Sequence, residues 1–380
     1  MLLTRILRKI KRTALSLLRK ISSVTKPKPK SKLLVKAGKD KPTIGLVGFF
    51  GWGNYGDELF VDVWKQVLGK DFNVKILFDT PKKPYYSRGV DTAVASVDAI
   101  VIGGGDIVIP WTYSDLYWKT AYLKKPVFVA GVGVPTWGEE VPEMVDRLRA
   151  FFQDPNVKYV HARDPESAAW MTEKLAPTCG VAEAPDLVCA LDLPPAERTG
   201  QPIYGFTTRK RASKKIVDGE VVVELDDYEQ LEKTAIAMQA KGYHVRHIIL
   251  GTDGVGQDDY QDALRMQLPG VEIFKADNCE DLSRAIGECT VLASMKFHGT
   301  VVATMYGVPS VVMMPTDKSR NFMRRIDRYD LISHYTSDTL VDLVTSIPAP
   351  IAPESVAMLR SRAQAELENL VAKMHEVTKK

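Results

Sequence analysis

The residues best suited to chemistry lie at 294–300, where an apolar run leads into the segment SMKFHGT. This segment contains Lys296 and His298, and Lys318 follows the next apolar run. An imidazole can donate or accept a proton near neutral pH, and an ammonium group binds carboxylate or phosphate. If the two runs are neighbouring parallel strands, their ends lie about 4.8 Å apart. We then expect His298 and Lys318 to face the same cleft.

Two arginines follow other apolar runs in the same way. Arg163 begins the segment RDPES, and Arg209 lies in the segment TTRKR. A guanidinium at the end of a buried strand can bind an anion in a cleft. The alternatives are a weak surface ion pair of Arg163 with Asp164 or Glu166, and a solvated basic loop around Arg209.

A glycine-rich turn at 51–58, GWGNYGDE, follows the first apolar run and begins a predicted helix. Its glycines match the G-x-G-x-x-G pattern of dinucleotide sites, and Asp79 ends the next predicted strand. We expect no dinucleotide here, because Asp57 and Glu58 would repel a pyrophosphate from the helix N-terminus. The turn suits neutral or hydroxyl-rich groups instead. The alternative is a turn with a structural role only, in which Asp57 caps the helix. For Glu58 a structural role and a ligand-binding role are equally favoured.

A second glycine turn ends another apolar run. It consists of Gly103, Gly104 and Gly105, followed by Asp106. Three glycines let the backbone approach a ligand or a neighbouring loop closely. The triplet alone is weak evidence for a site, because any tight turn between a strand and a helix can use glycine.

The elements that position these motifs alternate along the chain from residue 42, with short β-branched runs between helical stretches. Strand candidates are 43–50, 74–79, 99–105, 126–134 and 157–164, then 203–210, 243–253, 271–277, 291–299 and 308–315. Helix candidates include 58–68, 143–152, 227–242, 279–289 and 353–378. This pattern predicts an α/β protein with parallel sheets. The polar stretch at 191–202 divides it into two Rossmann-like domains, 42–195 and 196–345, followed by a C-terminal helix at 346–380.

Such sheets bind ligands outside the carboxyl ends of their strands, which is where the motifs lie. We therefore predict a central cleft towards which both sheets point.

The net charge of +4 is spread unevenly over the 380 residues. Residues 1–41 contain 14 basic residues and one acidic residue, a net charge of +13. The other 339 residues contain 37 basic and 46 acidic residues, a net charge of −9. A mildly acidic body argues against nucleic acid as a partner.

The basic leader, residues 1–41, begins with an amphipathic pattern at 2–21. On a helix, its apolar residues fall within an arc of about 120° and its basic residues cover the opposite side. A lysine- and proline-rich linker at 26–32 follows. This pattern predicts a helix bound to an anionic membrane surface. The alternatives are a helix docked on another protein surface, including this protein's own body, and a solvated tail.

The four cysteines, Cys179, Cys189, Cys279 and Cys289, form no C-x-x-C pair. We expect buried thiols in a reducing compartment and neither a disulfide framework nor a metal site. There is no apolar stretch long enough to span a bilayer, and basic residues interrupt any signal-peptide core. The predicted location is the cytoplasm, at the inner face of the membrane.

Together the segments resemble the polysaccharide pyruvyl transferase family. The shared pieces, in the same order, are 53–57 (G-N-x-G-D), 103–105, 163–167 (R-D-x-x-S), Arg209, 294–299 and Lys318. The resemblance covers roughly residues 43–330 and leaves out the leader. It departs at Lys296, where the family usually has arginine, so the charge is kept and the planar two-pronged donor is lost.

The resemblance implies a GT-B-like fold that binds phosphoenolpyruvate as co-substrate on the side of 196–345 and a saccharide acceptor on the side of 42–195. It implies pyruvyl transfer to a sugar, with no cofactor and no metal. His298 would be the general acid, and Arg163, Arg209, Lys296 and Lys318 would bind carboxylate and phosphate. Asp57 would orient or deprotonate the acceptor hydroxyl. The other substrate-binding residues would be Asn54, Gly103, Gly104, Gly105 and Asp106.

Two other functions remain open from the sequence. A nucleotide-sugar glycosyltransferase of the same architecture would need a carboxylate for the ribose, for which Asp253, Glu272 and Asp277 are candidates. A membrane-recruited glycan-binding protein without activity is the second, because Lys296 replaces the usual arginine.

Overall fold

The computed structural model describes residues 33–78, 85–198, 200–209, 212–217, 220–225 and 228–378, of which 212–217 and 220–225 are described by their backbone only. The predicted leader helix at 2–21, the linker at 26–32 and Asp79 lie outside these residues. Within the described ranges, no helix combines the length and apolarity needed to cross a bilayer.

The first sheet contains seven strands. They are β1 (Leu33–Val35), β2 (Thr43–Val47), β3 (Asn73–Ile76), β4 (Ala99–Ile102), β5 (Val127–Val132), β6 (Val157–Ala162) and β7 (Ala182–Glu183). Their order is β1-β3-β2-β4-β5-β6-β7, and all neighbours are parallel except β1, which pairs antiparallel with β3. The order of the parallel strands reverses between β2 and β4.

The second sheet has five parallel strands, and a separate antiparallel hairpin follows its first strand in the chain. The strands are β8 (Ile203–Thr207), the hairpin β9 (Ala212–Val217) and β10 (Glu220–Leu225), then β11 (His244–Ile248), β12 (Glu272–Phe274), β13 (Val291–Ser294) and β14 (Ser310–Val312). The sheet order is β12-β11-β8-β13-β14, with the reversal between β8 and β13.

Helices connect the parallel strands. They are α1 (Tyr55–Leu68), α2 (Val90–Ala95), α3 (Pro142–Phe152), α4 (Pro165–Lys174), α5 (Glu229–Ala240), α6 (Asp253–Met266), α7 (Cys279–Gly287), α8 (Phe297–Met305), α9 (Asp317–Arg325), α10 (Thr339–Thr345) and α11 (Pro353–Thr378). Short 3₁₀ helices lie at Thr120–Lys124, Leu187–Ala190 and Tyr329–Leu331. Side-chain caps stabilise the N-termini of some of these helices. The Asp164 side chain accepts the Ser167 N–H at the start of α4, and the Asn278 side chain accepts the Asp281 N–H at the start of α7.

The strands β2, β4, β5 and β13 are mostly apolar and buried, as expected where helices cover both faces of a sheet. One buried cluster runs from Ile44 and Phe60 beneath the first sheet to Leu292 in the second. A second cluster, which includes Trp118 and Phe152, covers the other face of the first sheet. The C-terminal helix α11 joins the first cluster through a stripe of buried residues: Leu359, Ala363, Leu367, Leu370 and Met374.

The predicted α/β class with parallel sheets is confirmed, and every predicted strand is present but shorter. The largest difference concerns the runs 291–299 and 308–315, whose strands end at Ser294 and Val312. In both cases the chain continues through a turn into a helix. A continuous apolar run does not distinguish a buried strand from a buried helix, so the predicted strands are too long. The domain boundaries at 195 and 345 stay predictions. Cys179 is exposed, contrary to expectation, and the other three cysteines are buried thiols.

Candidate active site

The two sheets point their carboxyl ends at a cavity of about 600 Å³. The loops that leave β2, β4, β8 and β13, the strands at the two reversals of order, all contribute lining residues. Doubly wound sheets bind ligands at such reversals. The topology therefore places the candidate site in this cleft.

Asp106, at the cavity wall, contacts two cationic side chains. Arg163 directly follows β6, its side chain is only 2% exposed, and its guanidinium donates a hydrogen bond to Asp106. Lys318, in the first turn of α9, places its Nζ 2.9 Å from Oδ2 of Asp106. Arg163 is therefore a buried member of the site and not one half of a surface ion pair.

His298 lies in the first turn of α8, with its Nε2 3.4 Å from Oδ2 of Asp186. Asp186 is 1% exposed, and its other oxygen accepts the Val188 N–H at 3.0 Å. Burial alone would raise the pKa of Asp186, but His298 and Arg163 keep it below its ordinary value. A buried, charged carboxylate beside an imidazole fixes the orientation and tautomer of the ring.

The other ring nitrogen of His298 faces the first turn of α1. A Cβ at position 56 would lie 1.9 Å from Nδ1, so only Gly56 leaves room for the imidazole. The ring also contacts Phe60 edge to face, at 5.7 Å between centroids. These contacts hold His298 between the two sheets.

Lys318 lies in a partly buried part of the site, near two arginines. Its side chain is 29% exposed, and its ammonium lies 5.5 Å from the centre of the Phe297 ring. Burial, aided by the charges of Arg163 and Arg209, lowers the pKa of Lys318 to about 7, although Asp57 opposes the shift. At neutral pH this ammonium can therefore both bind an anion and release a proton.

Lys296 lies at the cavity but points its ammonium into the second sheet. Its Nζ donates to the carboxylate of Asp259 in α6 and to the Leu250 carbonyl oxygen at 2.7 Å. The two side chains are only 11% and 6% exposed. Burial lowers the pKa of Lys296, although Asp259 opposes this. Lys296 is thus held mainly by protein groups.

Asn54 and Asp57 lie together at the start of α1, where the Asn54 amide donates to the Asp57 carboxylate. Burial raises the pKa of Asp57, although Asn54, His298 and Lys318 oppose it. Glu58 has a structural role, because its Oε1 accepts the N–H groups of Gly51 and Gly53, at 2.7 and 3.1 Å.

The glycine triplet packs behind the cavity wall. A Cβ at Gly103 would meet the Ala130 carbonyl oxygen at 1.9 Å, and a Cβ at Gly104 would meet the Phe60 ring at 2.3 Å. A Cβ at Gly105 would lie 3.7 Å from Asp57. The triplet therefore lets β4 pack closely against β5 and brings Asp106 to the cavity.

Two helix N-termini also face the cavity, through Phe297 and His298 of α8 and Lys318 of α9. The N-terminus of α9 is closed by a capping box between Thr316 and Ser319. That of α8 has no side-chain cap. The Gly299 N–H in its first turn already donates to the Lys296 carbonyl oxygen at 3.0 Å, which leaves the N–H groups of Phe297 and His298 for a ligand. The exposed Arg209, just after β8, adds a cation on the same side.

The three carboxylates suggested for a ribose do not line this cavity. Glu272 is engaged by Arg246 at 2.8 Å and by His244 at 2.6 Å, at the edge of the second sheet. Asp253 begins α6, and Asp277 is exposed beyond β12. In the described part of the chain, no group of three or more His, Cys, Asp or Glu side chains is arranged to bind a metal ion.

A model of the polysaccharide pyruvyl transferase family matches residues 54–317, about two thirds of the chain. The chain belongs to this family. The resemblance seen in its motifs is thereby confirmed, and the matched segment begins at the Asn54 turn and ends at Asp317, one residue before Lys318. A search among curated proteins finds no significant sequence match.

Solved structures support the fold of this pyruvyl transferase family member. UDP-N-acetylglucosamine 2-epimerase from Rickettsia bellii matches with a TM-score of 0.53 and 9% identity, over 89% of this chain and 97% of that one. The UDP-GlcNAc 2-epimerase from Methanocaldococcus jannaschii matches with a TM-score of 0.52 and 9% identity, over 87% and 99%. The GT-B-like arrangement is confirmed, and at these identities the likeness extends to the fold alone.

Two residues of this pyruvyl transferase family member escaped the sequence analysis. Asp186 stands alone in the segment APDLVCAL, where an isolated acid before an apolar run is the one available signal. Trp137 follows β5 in VPTWG and lines the cavity while 77% exposed. An exposed tryptophan carries no mark in the sequence, so only its place at the cavity distinguishes it.

Proposed function

We propose that this protein transfers the pyruvyl group of phosphoenolpyruvate to two hydroxyl groups of a saccharide, forming a ketal and releasing phosphate. Family membership supports transferase activity. The observation that carries the finer assignment is the meeting of cations, an open helix N-terminus and the His298–Asp186 pair in one cavity.

The donor would bind on the cationic side of the cavity. Phosphoenolpyruvate carries a carboxylate and a phosphate, and charge-assisted hydrogen bonds to such groups are among the strongest in proteins. Arg209, Lys318 and the N–H groups of α8 supply donors there. Arg163 would act from behind the cavity wall by holding Asp106, which contacts Lys318 and so positions its ammonium. Lys296 would contribute mainly its charge, since Asp259 and Leu250 hold its ammonium.

The reaction would begin with proton transfer from His298 to the enol methylene, which leaves the adjacent carbon cationic. An acceptor hydroxyl adds to that carbon and loses its proton, helped by Asp57. The carbon–oxygen bond to phosphate then breaks, the electron pair leaves with the phosphate, and the phosphate takes up a proton. A second hydroxyl then adds to the same carbon and gives its proton to His298, which closes the ketal and restores the protonated imidazole. Asp186 stabilises the protonated His298 and is a positioning residue.

The acceptor is a saccharide that can be soluble or lipid-linked. Attachment of residues 2–21 to an anionic membrane would bring the enzyme to a lipid-linked acceptor at the cytoplasmic face. This part of the proposal rests on the sequence pattern alone.

The test is phosphate release from phosphoenolpyruvate with a panel of soluble and lipid-linked saccharides, with product mass as the second readout. We expect release with at least one saccharide and a product heavier by one pyruvate less one water. His298→Ala should lower turnover by roughly 10²–10⁴-fold. His375→Ala is the matched control, since His375 lies on α11 beside Asp71. Consumption of a nucleotide sugar without use of phosphoenolpyruvate would overturn the proposal.

A further inference from the structure

Trp137 forms part of the cavity wall and packs against Trp111, which is half-buried. Trp137 is 77% exposed and lines the cavity, although a large apolar side chain gains free energy from burial. Its ring lies 4.5 Å from that of Trp111, at 61°. Trp137 is therefore part of an aromatic pair and is not an isolated exposed side chain.

The loop that carries Trp137 is held in place on both sides. The N–H and the hydroxyl of Thr136 both donate to Oδ2 of Asp317, at 3.2 and 2.7 Å, so the loop is tied to the N-terminus of α9. Gly138 packs so closely on Trp111 that a Cβ there would lie 2.6 Å from the indole ring. A fixed indole loses little conformational entropy when a ligand stacks on it.

The position of the loop relates this aromatic pair to the reacting groups. Thr136 contacts Asp317, and the next residue along α9 is Lys318, the candidate donor-binding cation. A ligand lying on Trp137 thus borders the place proposed for phosphoenolpyruvate. Ile109, Val134 and Pro135 are further apolar residues of the cavity wall.

Two acidic residues near Trp137 indicate which kind of ligand fits this aromatic pair. Glu139 follows Trp137 closely in the chain, and the Asp317 carboxylate lies beside Thr136. Acidic groups repel a nucleoside diphosphate but accept hydrogen bonds from hydroxyl groups. A neutral sugar ring has an apolar face of C–H groups that can stack on an indole, and hydroxyl groups at its edge that can bond to nearby carboxylates.

We propose that Trp137, backed by Trp111, is the stacking platform for a neutral pyranose ring of the acceptor saccharide. The proposal rests on the proposed function in assigning that ring to the acceptor. It divides the cavity into an aromatic acceptor side on the first sheet and a cationic donor side on the second. Removal of the platform weakens saccharide binding and leaves binding of phosphoenolpyruvate unchanged.

The test follows the indole N–H signals of the full-length protein by NMR, after ¹⁵N labelling of tryptophan. The probes are methyl glycosides and disaccharides of galactose, glucose and N-acetylmannosamine, each added without phosphoenolpyruvate. We expect the Trp137 signal to shift saturably with at least one probe. Trp137→Ala should weaken that binding by about ten-fold or more, and Trp137→Phe by less, since a ring remains.

The matched control is Tyr329→Ala, which removes an exposed aromatic ring outside the cavity and should leave saccharide binding unchanged. Unchanged affinity in a folded Trp137→Ala protein, or no shift of the Trp137 signal with any saccharide, would overturn the platform. Shifts with uridine diphosphate alone would overturn it as well. Saccharide binding at Trp137 without any phosphate release would retain the platform and overturn pyruvyl transfer.

Discussion

The carboxylate of Asp186 lies 3.4 Å from Nε2 of His298, and the two residues come from opposite sides of the cleft. Asp186 begins the 3₁₀ helix behind the first sheet, and His298 begins α8 of the second. The pair forms only when both sheets are in place. The proton transfer that we propose for His298 would therefore depend on contact between the two sheets.

Asp186→Asn should lower turnover by about ten-fold or more while the KM for phosphoenolpyruvate changes little. The amide oxygen can still accept the Val188 N–H, so the 3₁₀ helix is kept, while the negative charge beside His298 and Arg163 is lost. Steady-state kinetics separate the two parameters. Equal loss in Asp186→Asn and Asp186→Ala, together with a lowered melting temperature in both, would point to a role in folding alone.

The affinity for phosphoenolpyruvate should fall as the pH rises through about 7, because the pKa of Lys318 is lowered to about 7. Below that pH the ammonium is charged and binds the anion, and above it the charge is lost. Lys318→Arg keeps its charge throughout this range, so its KM should depend less on pH. Since the ionisation of the substrate is common to both proteins, identical profiles would exclude Lys318 as the cause.

Lys296→Met should destabilise the protein by about 3–5 kcal/mol, because it removes the ammonium partner of the buried Asp259 carboxylate. Urea unfolding measures this change. The double variant Lys296→Met with Asp259→Leu should recover part of the loss. Normal stability in the single variant, with a raised KM for phosphoenolpyruvate, would instead identify Lys296 as a free donor-binding group.

Gly53→Ala should destabilise the contact between the two sheets. Gly53 has φ +80°, its carbonyl oxygen accepts the Thr252 N–H at 2.8 Å, and a Cβ would lie 1.9 Å from the Thr252 carbonyl oxygen. Gly242→Ala is the matched control, with φ +83° and open space around a Cβ, and it should cost only about 1–2 kcal/mol for the left-handed backbone. Equal melting temperatures for the two variants would contradict this prediction.

The full-length protein should sediment with anionic vesicles at low salt and be partly released as salt rises, because each basic residue near the surface adds about 1 kcal/mol. Neutral vesicles should bind it less. A truncated chain that begins at Lys41 should stay in the supernatant and keep its activity on a soluble acceptor. Vesicle binding by the truncated chain would show that the leader is not the anchor.

The sequence by itself determined the fold class, the order of the parallel strands along the chain and the family. These follow from short-range patterns: apolar runs of strand length, glycine turns after them, and basic residues at their ends. Arg163, Arg209, His298 and Lys318 were found in this way, because the carboxyl ends of parallel strands meet at one edge of a sheet. The membrane-binding helix of the leader stays a prediction from its sequence pattern.

Only the tertiary structure decided which of these groups meet. Lys296 looks like a second donor-binding lysine in the sequence, yet Asp259 holds its ammonium. Asp186 reaches His298, and Trp137 reaches the cavity. The one sequence signal for Asp186 is an isolated acid before an apolar run, and Trp137 has none. Such contacts join residues far apart in sequence, and they depend on the order of strands in each sheet and on how the two sheets face each other. Local secondary-structure propensity and hydrophobic periodicity contain no information about the strand order or about how the two sheets face each other.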